Sequence, residues 1–426
     1  MLIVQAYESL GEKAYGKHGR YLVSACLFCQ NMGAMSSYLF IIKNELPSVL
    51  QTIICSSDDD VCLSHTNPAW YFNATYILVI ITLLIVAPLS SLKHIGFLGY
   101  TSGFSIACMV FFTIVIVAKY FIGIEECPLF ADGIANGSMV YDSYKETIQT
   151  SSDADGLKML FLLPAGATNL LKPDIYIEAD GAERGHIASD CTYNGHLPEQ
   201  YCNMKGQQCS PQYMELSDSW VYSMPTMTFS FICHAHVIPI YAELKSQSPH
   251  QMKMVAATSI ASCFALYLTA SLFGYLTFFN YVQSELLMTY NHSDPTNALT
   301  LTVRICLIMG VTLTLPLMHY PTRSTVLGII RPGRPFSWPW HIGMMFVILG
   351  TCVVLVILVP DIREIFGYVG ATSSSMLLFI LPSLFYLKLM DGSWRSNADK
   401  KVAAIFLVFG SCFSILTLAV IISSKF

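Results

Sequence analysis

Apolar residues in this chain come in long blocks, not in the alternation of a half-buried strand or the one-sided stripe of a surface helix. Nine blocks approach or exceed the roughly 20 residues that a helix needs to cross a bilayer. They cover 21–42, 76–92, 95–118, 220–241, 255–279, 299–319, 340–359, 366–387 and 402–422. A tenth apolar stretch, 159–171, is too short and carries Pro164 and Gly166, so it reads as a buried or loop segment. Residues 1–4 are apolar but Glu8 and Glu12 follow, so no secretory signal peptide is expected before the first block.

Composition narrows the class. Apolar residues make up 54% of the 426, charged residues only 12%, and the mean hydropathy is +0.53. A soluble domain carries about 25% charged residues, so this chain cannot clothe a water-exposed surface. That excludes a soluble enzyme and a disordered regulator. A nucleic-acid binder would need a basic face, and Lys+Arg is 23 against Asp+Glu 28. The fold expected is an all-α polytopic membrane protein forming one domain over 1–426, with residues 120–219 as a loop within it.

Nine spans put the termini on opposite sides, and the positive-inside rule orients them. With the N-terminus in the cytosol, the inner loops hold Lys13, Lys17, Arg20, Lys93, Lys245, Lys253, Arg323, Arg331, Arg334, Lys388, Arg395, Lys400 and Lys401, whereas the short outer loops hold Lys43, Arg363 and Lys425. The C-terminus is then extracellular or lumenal. The glycosylation sequons at Asn73, Asn136 and Asn291 all fall on the outer side. So do the loop cysteines Cys55, Cys62, Cys127, Cys191, Cys202 and Cys209, while the other eight lie inside apolar blocks and none lies in an inner loop. Even-numbered cysteines confined to the oxidising side read as disulfides. Cys55 and Cys62 would ring Asp58-Asp59-Asp60, an acidic triplet better read as a solvated loop than as a calcium site.

Breakers inside the blocks point to transport. The fourth carries Pro225 and Pro239, the sixth Pro316, and the eighth Gly367, Gly370, Thr372-Ser373-Ser374-Ser375 and Pro382. Transporters place substrate and ion sites at interrupted helices, where freed carbonyls take a cation. Polar residues at membrane depth are Gln30, Asn31, Ser36 and Ser37 in the first block, Ser230, His234 and His236 in the fourth, and Thr312 and Thr314 in the sixth. No carboxylate is expected deep in any span. Neutral oxygen and nitrogen donors suit a weakly held alkali cation, or a substrate that brings its own carboxylate. For Asn31 and the serines, interhelical hydrogen bonding is the plainer alternative. His234 and His236 are two apart and point different ways on a helix, so they make no paired metal site. Cys26 and Cys29 are assigned to core packing. There is no phosphate loop and no nucleophile with a base at useful spacing, and the Cys26-Leu27-Phe28-Cys29 string lies within an apolar block, so an enzyme is not expected.

Several ordered strings carry a resemblance. They are Gln30-Asn31-Met32-Gly33-Ala34-Met35-Ser36-Ser37-Tyr38-Leu39 with Glu45-Leu46-Pro47; Gly96-Phe97-Leu98-Gly99-Tyr100-Thr101-Ser102; and Pro225 to His234 with Pro239-Ile240-Tyr241 and Glu243-Leu244. Leu272 to Phe278, Val311-Thr312-Leu313-Thr314-Leu315-Pro316, and Val359-Pro360-Asp361-Ile362-Arg363 with Phe366-Gly367 and Val369-Gly370-Ala371 complete the set. Together they resemble helices three, five, six, seven, eight and ten of the sodium-coupled neutral amino acid transporters (solute carrier family 38) of the amino acid/auxin permease superfamily. The resemblance implies a LeuT-like inverted-repeat fold, with nine of the family's eleven helices present. It implies symport of small neutral L-amino acids such as glutamine or alanine with sodium, with no cofactor beyond that coupling ion. The expected partners are amino acid, sodium and the lipid bilayer, with no nucleic acid. Candidate substrate-binding residues are Asn31, Ser36, Ser230 and His234. The sodium-binding hydroxyl falls on Thr312 or Thr314. The implied loop disulfide joins Cys127 to Cys209, with Cys191 or Cys202 as alternative partners, and the plasma membrane is preferred over the endolysosome.

The match also has gaps. The opening Tyr7-Glu8-Ser9-Leu10-Gly11 resembles the cytosolic end of helix two, so helix one and most of helix two have no counterpart here. Helix one supplies much of both sites in this fold, so the chain by itself is expected not to transport. Residues 159–187 also fit the family poorly. The competing readings are proton coupling on the same fold, a non-transporting truncated isoform, and an amino acid sensor that signals to cytosolic partners.

Overall fold

The computed structural model describes residues 6–54, 73–92, 98–122, 220–244, 247–279, 282, 284–293, 298–331, 333–359, 361–390 and 398–423. The chain divides into two units. Met1–Tyr120, Ser210–Asn291 and Pro295–Phe426 form the first, which contains everything discussed below. Phe121–Cys209 with His292–Asp294 form the second, nearly all of it outside the described residues. The six loop cysteines, Asn136 and the stretch 159–187 likewise lie outside them.

Every regular element described is helical. In chain order these are α1 (Tyr7–Ile54), α2 (Ala74–Ser91), α3 (Leu98–Ile122), α4 (Trp220–Ser230), α5 (His234–Glu243), α6 (Pro249–Phe278), α7 (Leu286–Ser293), α8 (Ala298–Ile330), α9 (Trp338–Leu358), α10 (Ile362–Leu389) and α11 (Ala398–Ser423). Eight of them (α1, α2, α3, α6, α8, α9, α10 and α11) are long and apolar enough to cross a membrane. The ninth expected span, 220–241, is not one helix. It is broken into α4 and α5 by the non-helical residues 231–233.

The core runs along α1. Met35, Leu39 and Ile42 face Val303, Leu307, Val311 and Leu315 of α8, a ladder spaced by four that keeps one helical face continuous. Met345, Ile348, Leu349 and Cys352 of α9 close the cluster. A second cluster joins Tyr7, Val23 and Leu27 of α1 to Leu377, Leu381 and Phe385 of α10. By contrast α6 and α11 show their apolar side chains outward. Phe264, Leu268 and Leu272 on α6, and Ile405, Val408, Phe409 and Ile415 on α11, are exposed. Apolar faces of that extent are stable against acyl chains, not water.

The start and end of α1 differ from the sequence expectation of a span over 21–42. At its start, Tyr15 and Gly16 leave helical geometry, and Gly16 has φ +63°, a value glycine accepts without a Cβ penalty. Residues 7–14 therefore form a separate arm. At its other end the helix continues through Lys43, Asn44, Glu45 and Pro47. Beyond the expected span the helix carries a buried carboxylate: Glu45 is 1% exposed. Partners make this possible. Lys43 Nζ donates to the Val356 carbonyl at the end of α9 over 3.0 Å, and Glu45 Oε2 lies 3.4 Å from Arg304 Nε of α8.

Prolines shape two other helices. The segments Thr82–Val86, Gly370–Ser374 and Met376–Ile380 are π-helical. Their marking bonds run five residues back, from the Ala87 N–H to the Thr82 carbonyl, Ser375 to Gly370, and Leu381 to Met376. Pro88 and Pro382 follow the first and the last of these segments within a turn and cannot donate to the carbonyls of residues 84 and 378. A wider turn just upstream accommodates that lost bond.

Candidate functional site

The interrupted span brings the first polar element. In α4 the hydroxyls of Thr226, Thr228 and Ser230 each donate to the carbonyl four residues back, at 2.7, 3.0 and 2.8 Å. Such back-bonds satisfy a hydroxyl in an apolar setting. After Ser230 the helix stops, and α5 starts at Cys233 with no side-chain cap. Ser230 and His234 thus flank the break. The two half-helices have different neighbours: α4 packs on the first half of α10, with Phe229 and Phe366 rings 4.9 Å apart, and α5 packs on α1.

Opposite, the π-turns of α10 face α1. Gln30 Oε1 accepts from the Ser374 hydroxyl at 2.6 Å and from Ser373 at 3.5 Å, and all three residues are buried. Ser375 donates to the Gly370 carbonyl at 2.8 Å. Gly370 lies so close to α4 that a Cβ there would overlap the Pro225 carbonyl. The widened turn, the buried serines and the half-helix end therefore meet in one region, the setting in which membrane helices place ligands.

The third element is α8. Pro316 has no N–H, so the Thr312 carbonyl is denied its usual partner four residues on. The Thr312 hydroxyl makes no hydrogen bond among the described residues, although the residue is buried. Thr314 is differently placed. Its hydroxyl donates to the Gly310 carbonyl at 2.7 Å and lies 3.0 Å from the Ser105 hydroxyl of α3.

The residues expected to bind substrate are not gathered at one point. Asn31 is buried, with no hydrogen-bond partner among the described residues. Ser36 is fully buried with its hydroxyl unpaired. Five residues apart, they project about 140° from each other on the helix. Ser230 is exposed. His234 opens α5, and its side chain lies outside what is described. Asn73 caps α2, its side chain accepting from the Thr75 N–H at 3.0 Å; Asn291 falls within α7. Sequence reasoning missed Ser105 and the direct link from Gln30 to Ser374, because both depend on which helices become neighbours. It also missed Glu45 and Arg304. A signal for that pair was present: an arginine inside an apolar block requires a counter-charge.

That pair forms a cluster at the end of α1. Arg304 Nη2 donates to the Leu287 carbonyl at 3.3 Å, and Asn44 Nδ2 donates to Glu285 Oε2 at 3.3 Å. Arg304 pairs directly with Glu45, and its charge also acts on Glu285. The Glu285 carboxyl, in the turn before α7, is pushed up to about 8 from 4.5, first by burial and second by the Glu45 charge, against the opposing effects of Asn44 and Arg304. Between those values the folded chain holds a proton that the unfolded chain releases. Stability should therefore fall as pH rises from about 4.5 to 8 and level off above. A thermal-denaturation series across that window should show a shallower slope for Glu285→Gln than for the parent chain; parallel curves would contradict the assignment.

Comparison with known proteins adds context to this geometry. The family model described as "Transmembrane amino acid transporter protein" matches residues 4–150 and 195–423. Sodium-coupled neutral amino acid transporter 4 of Mus musculus is 37% identical over 420 residues, covering 98% of this chain and 73% of its own length. The protein of the same name from Homo sapiens is 37% identical over 422 residues, with the same coverage. Sodium-coupled neutral amino acid symporter 2 of Danio rerio is 37% identical over 405 residues, covering 95% of this chain and 67% of its own length.

Proposed function

The chain belongs to the transmembrane amino acid transporter protein family, and on that premise we propose that it carries out sodium-coupled symport of small neutral amino acids. The observation that carries the reading is Thr312. A cation held weakly in a membrane needs neutral oxygens whose hydrogen-bonding capacity is not already spent. Thr312 offers two: a hydroxyl without a partner and a carbonyl that Pro316 leaves unpaired. The choice between the two threonines therefore falls on Thr312, since Thr314 is committed to Gly310 and Ser105. Names of the relatives support sodium as the coupling ion and neutral amino acids as the substrate class.

On this reading the amino acid lies between the half-helix ends at 231–233, Asn31 of α1 and the widened turn of α10. An uncapped helix start suits a carboxylate, because its N–H groups point outward and the helix dipole is positive there. Ser230 and His234 border that start. The N-terminus is assigned to the cytosol and the C-terminus to the outside, with the plasma membrane as the site of action. Cys127–Cys209 is the assigned loop disulfide, and Asn73, Asn136 and Asn291 are the assigned glycosylation sites.

The deciding experiment measures uptake of labelled glutamine and alanine against sodium concentration. Thr312→Ala is expected to raise the half-saturating sodium concentration by about tenfold, as for loss of one charge-assisted contact of roughly 1.4 kcal/mol. Thr314→Ala should change it much less. Equal effects of the two would remove Thr312 from the site, and uptake undiminished in choline medium would remove sodium coupling altogether.

A further inference from the structure

A second buried polar cluster lies away from the proposed transport site, where the end of α2 and the start of α9 meet the last third of α8. Arg323, 3% exposed, donates from Nη1 to the Ser90 carbonyl at 2.7 Å. His341 places Nε2 3.0 Å from the Ser91 carbonyl. A carbonyl accepts, so that nitrogen carries the proton. These are the last two carbonyls of α2, and the C-terminal end of a helix carries about half a negative charge. The helix end therefore offsets only part of the Arg323 charge. The Tyr320 ring, 5.8 Å from the guanidinium carbon, contributes a further weak attraction. No carboxylate among the described residues pairs with Arg323.

The groups around it want an acceptor. His319 sits one turn before Arg323 on the same face of α8, fully buried, and neither ring nitrogen has a partner. The Ser90 hydroxyl is buried and equally unpartnered. A neutral imidazole always presents one N–H donor, and a hydroxyl presents another. Leaving such donors unmet in an apolar interior is costly, and native interiors rarely do so. Arg323 and His341 are the titratable groups that act on His319. The rings of Phe336 and Trp338 pack edge-on against His341 at 5.0 and 5.5 Å.

We propose that this cluster binds a small monovalent anion of the size of chloride, held by the His319 N–H and the Ser90 hydroxyl in the field of Arg323 and His341. Complete burial of His319 favours a single atom over a carboxylate, which would bring the rest of its molecule with it. A water molecule would meet the hydrogen bonds but not the residual positive charge. The anion would tie α2, α8 and α9 together at the end of the bundle opposite Glu45 and Arg304.

The test uses the purified full chain in nanodiscs, without amino acid, at constant sodium and ionic strength. Thermal unfolding is followed in chloride, bromide and gluconate. Chloride and bromide are expected to raise the Tm by about 2 °C or more over gluconate. His319→Phe, which keeps the volume and removes the donor, should abolish most of that rise, and Ser90→Ala should reduce it, while the Tm in gluconate is kept or increased. Either variant alone suffices if the other fails to fold. Identical Tm values in the three media would overturn the proposal. So would a halide-dependent rise that survives undiminished in the folded variants.

Discussion

Arg304→Met is expected to remove most of the folded protein. Arg304 and Glu45 are each 1% exposed, and their charges meet at 3.4 Å between α1 and α8. Taking away the guanidinium strands Glu45 in an apolar interior beside Glu285, at a cost of about 3–5 kcal/mol. The whole stability of a domain is only about 5–15 kcal/mol. Yield of monodisperse protein by size-exclusion chromatography, and the Tm of what survives, would report the loss. The double substitution Arg304→Met/Glu45→Leu should recover a good part of it, because an apolar pair of similar volume owes no desolvation cost. Should the double variant be as damaged as the single one, shape would matter at this contact and charge would not.

Gly370→Ala is expected to abolish most transport. The added methyl would overlap the backbone of Pro225, and a backbone atom inside a helix cannot step aside. Relief requires α4 to move off α10, pulling one half of the interrupted span away from the π-turn. Overpacking of this kind costs about 1–3 kcal/mol, and the displacement falls on the site itself. Uptake per molecule at the cell surface should drop by about tenfold or more, since a misplacement of about 1 Å in a binding constellation has effects of that order. Gly33→Ala provides the comparison. There the methyl would press on the Val369 side chain and not on backbone, so its loss should be smaller. Equal uptake by Gly370→Ala and the parent chain would mean that the contact between α4 and α10 does not shape the site.

Much of the architecture was legible because bilayer-spanning blocks are a property of local composition. Eight of the nine expected spans correspond to membrane-length helices, and the ninth is present in two pieces. The errors arose where a distant residue overrides local character. Lys43-Asn44-Glu45 reads as a loop until Val356 and Arg304 are placed beside it. Pro225 and Pro239 signalled an interruption in the fourth block, but its position at 231–233 was not legible, since neither proline coincides with it. The polar residues of the candidate site were visible as types. Their grouping was not, because Gln30 and Ser374 are 344 positions apart. Between Thr312 and Thr314 the one local signal was Pro316, four residues after Thr312. The Ser105 and Gly310 partners of Thr314 appear only once the helices are packed.

The π-turns of α10 also bear on chain length. A π-turn holds about one more residue than the α-turn it replaces, and each residue rotates all that follow by about 100°. Within Gly370–Ser374 that extra residue is absorbed as a bulge, and Met376–Ile380 absorbs another. Removing one residue there would close a bulge into ordinary helix and leave Leu377, Leu381 and Phe385 on the face that meets Val23 and Leu27 of α1. The same deletion in α8, which has no bulge to close, would turn one side of its Val303-Leu307-Val311-Leu315 ladder away from α1. Among the long helices, α10 is therefore a place where related chains can gain or lose a residue without changing which side of the helix faces inward.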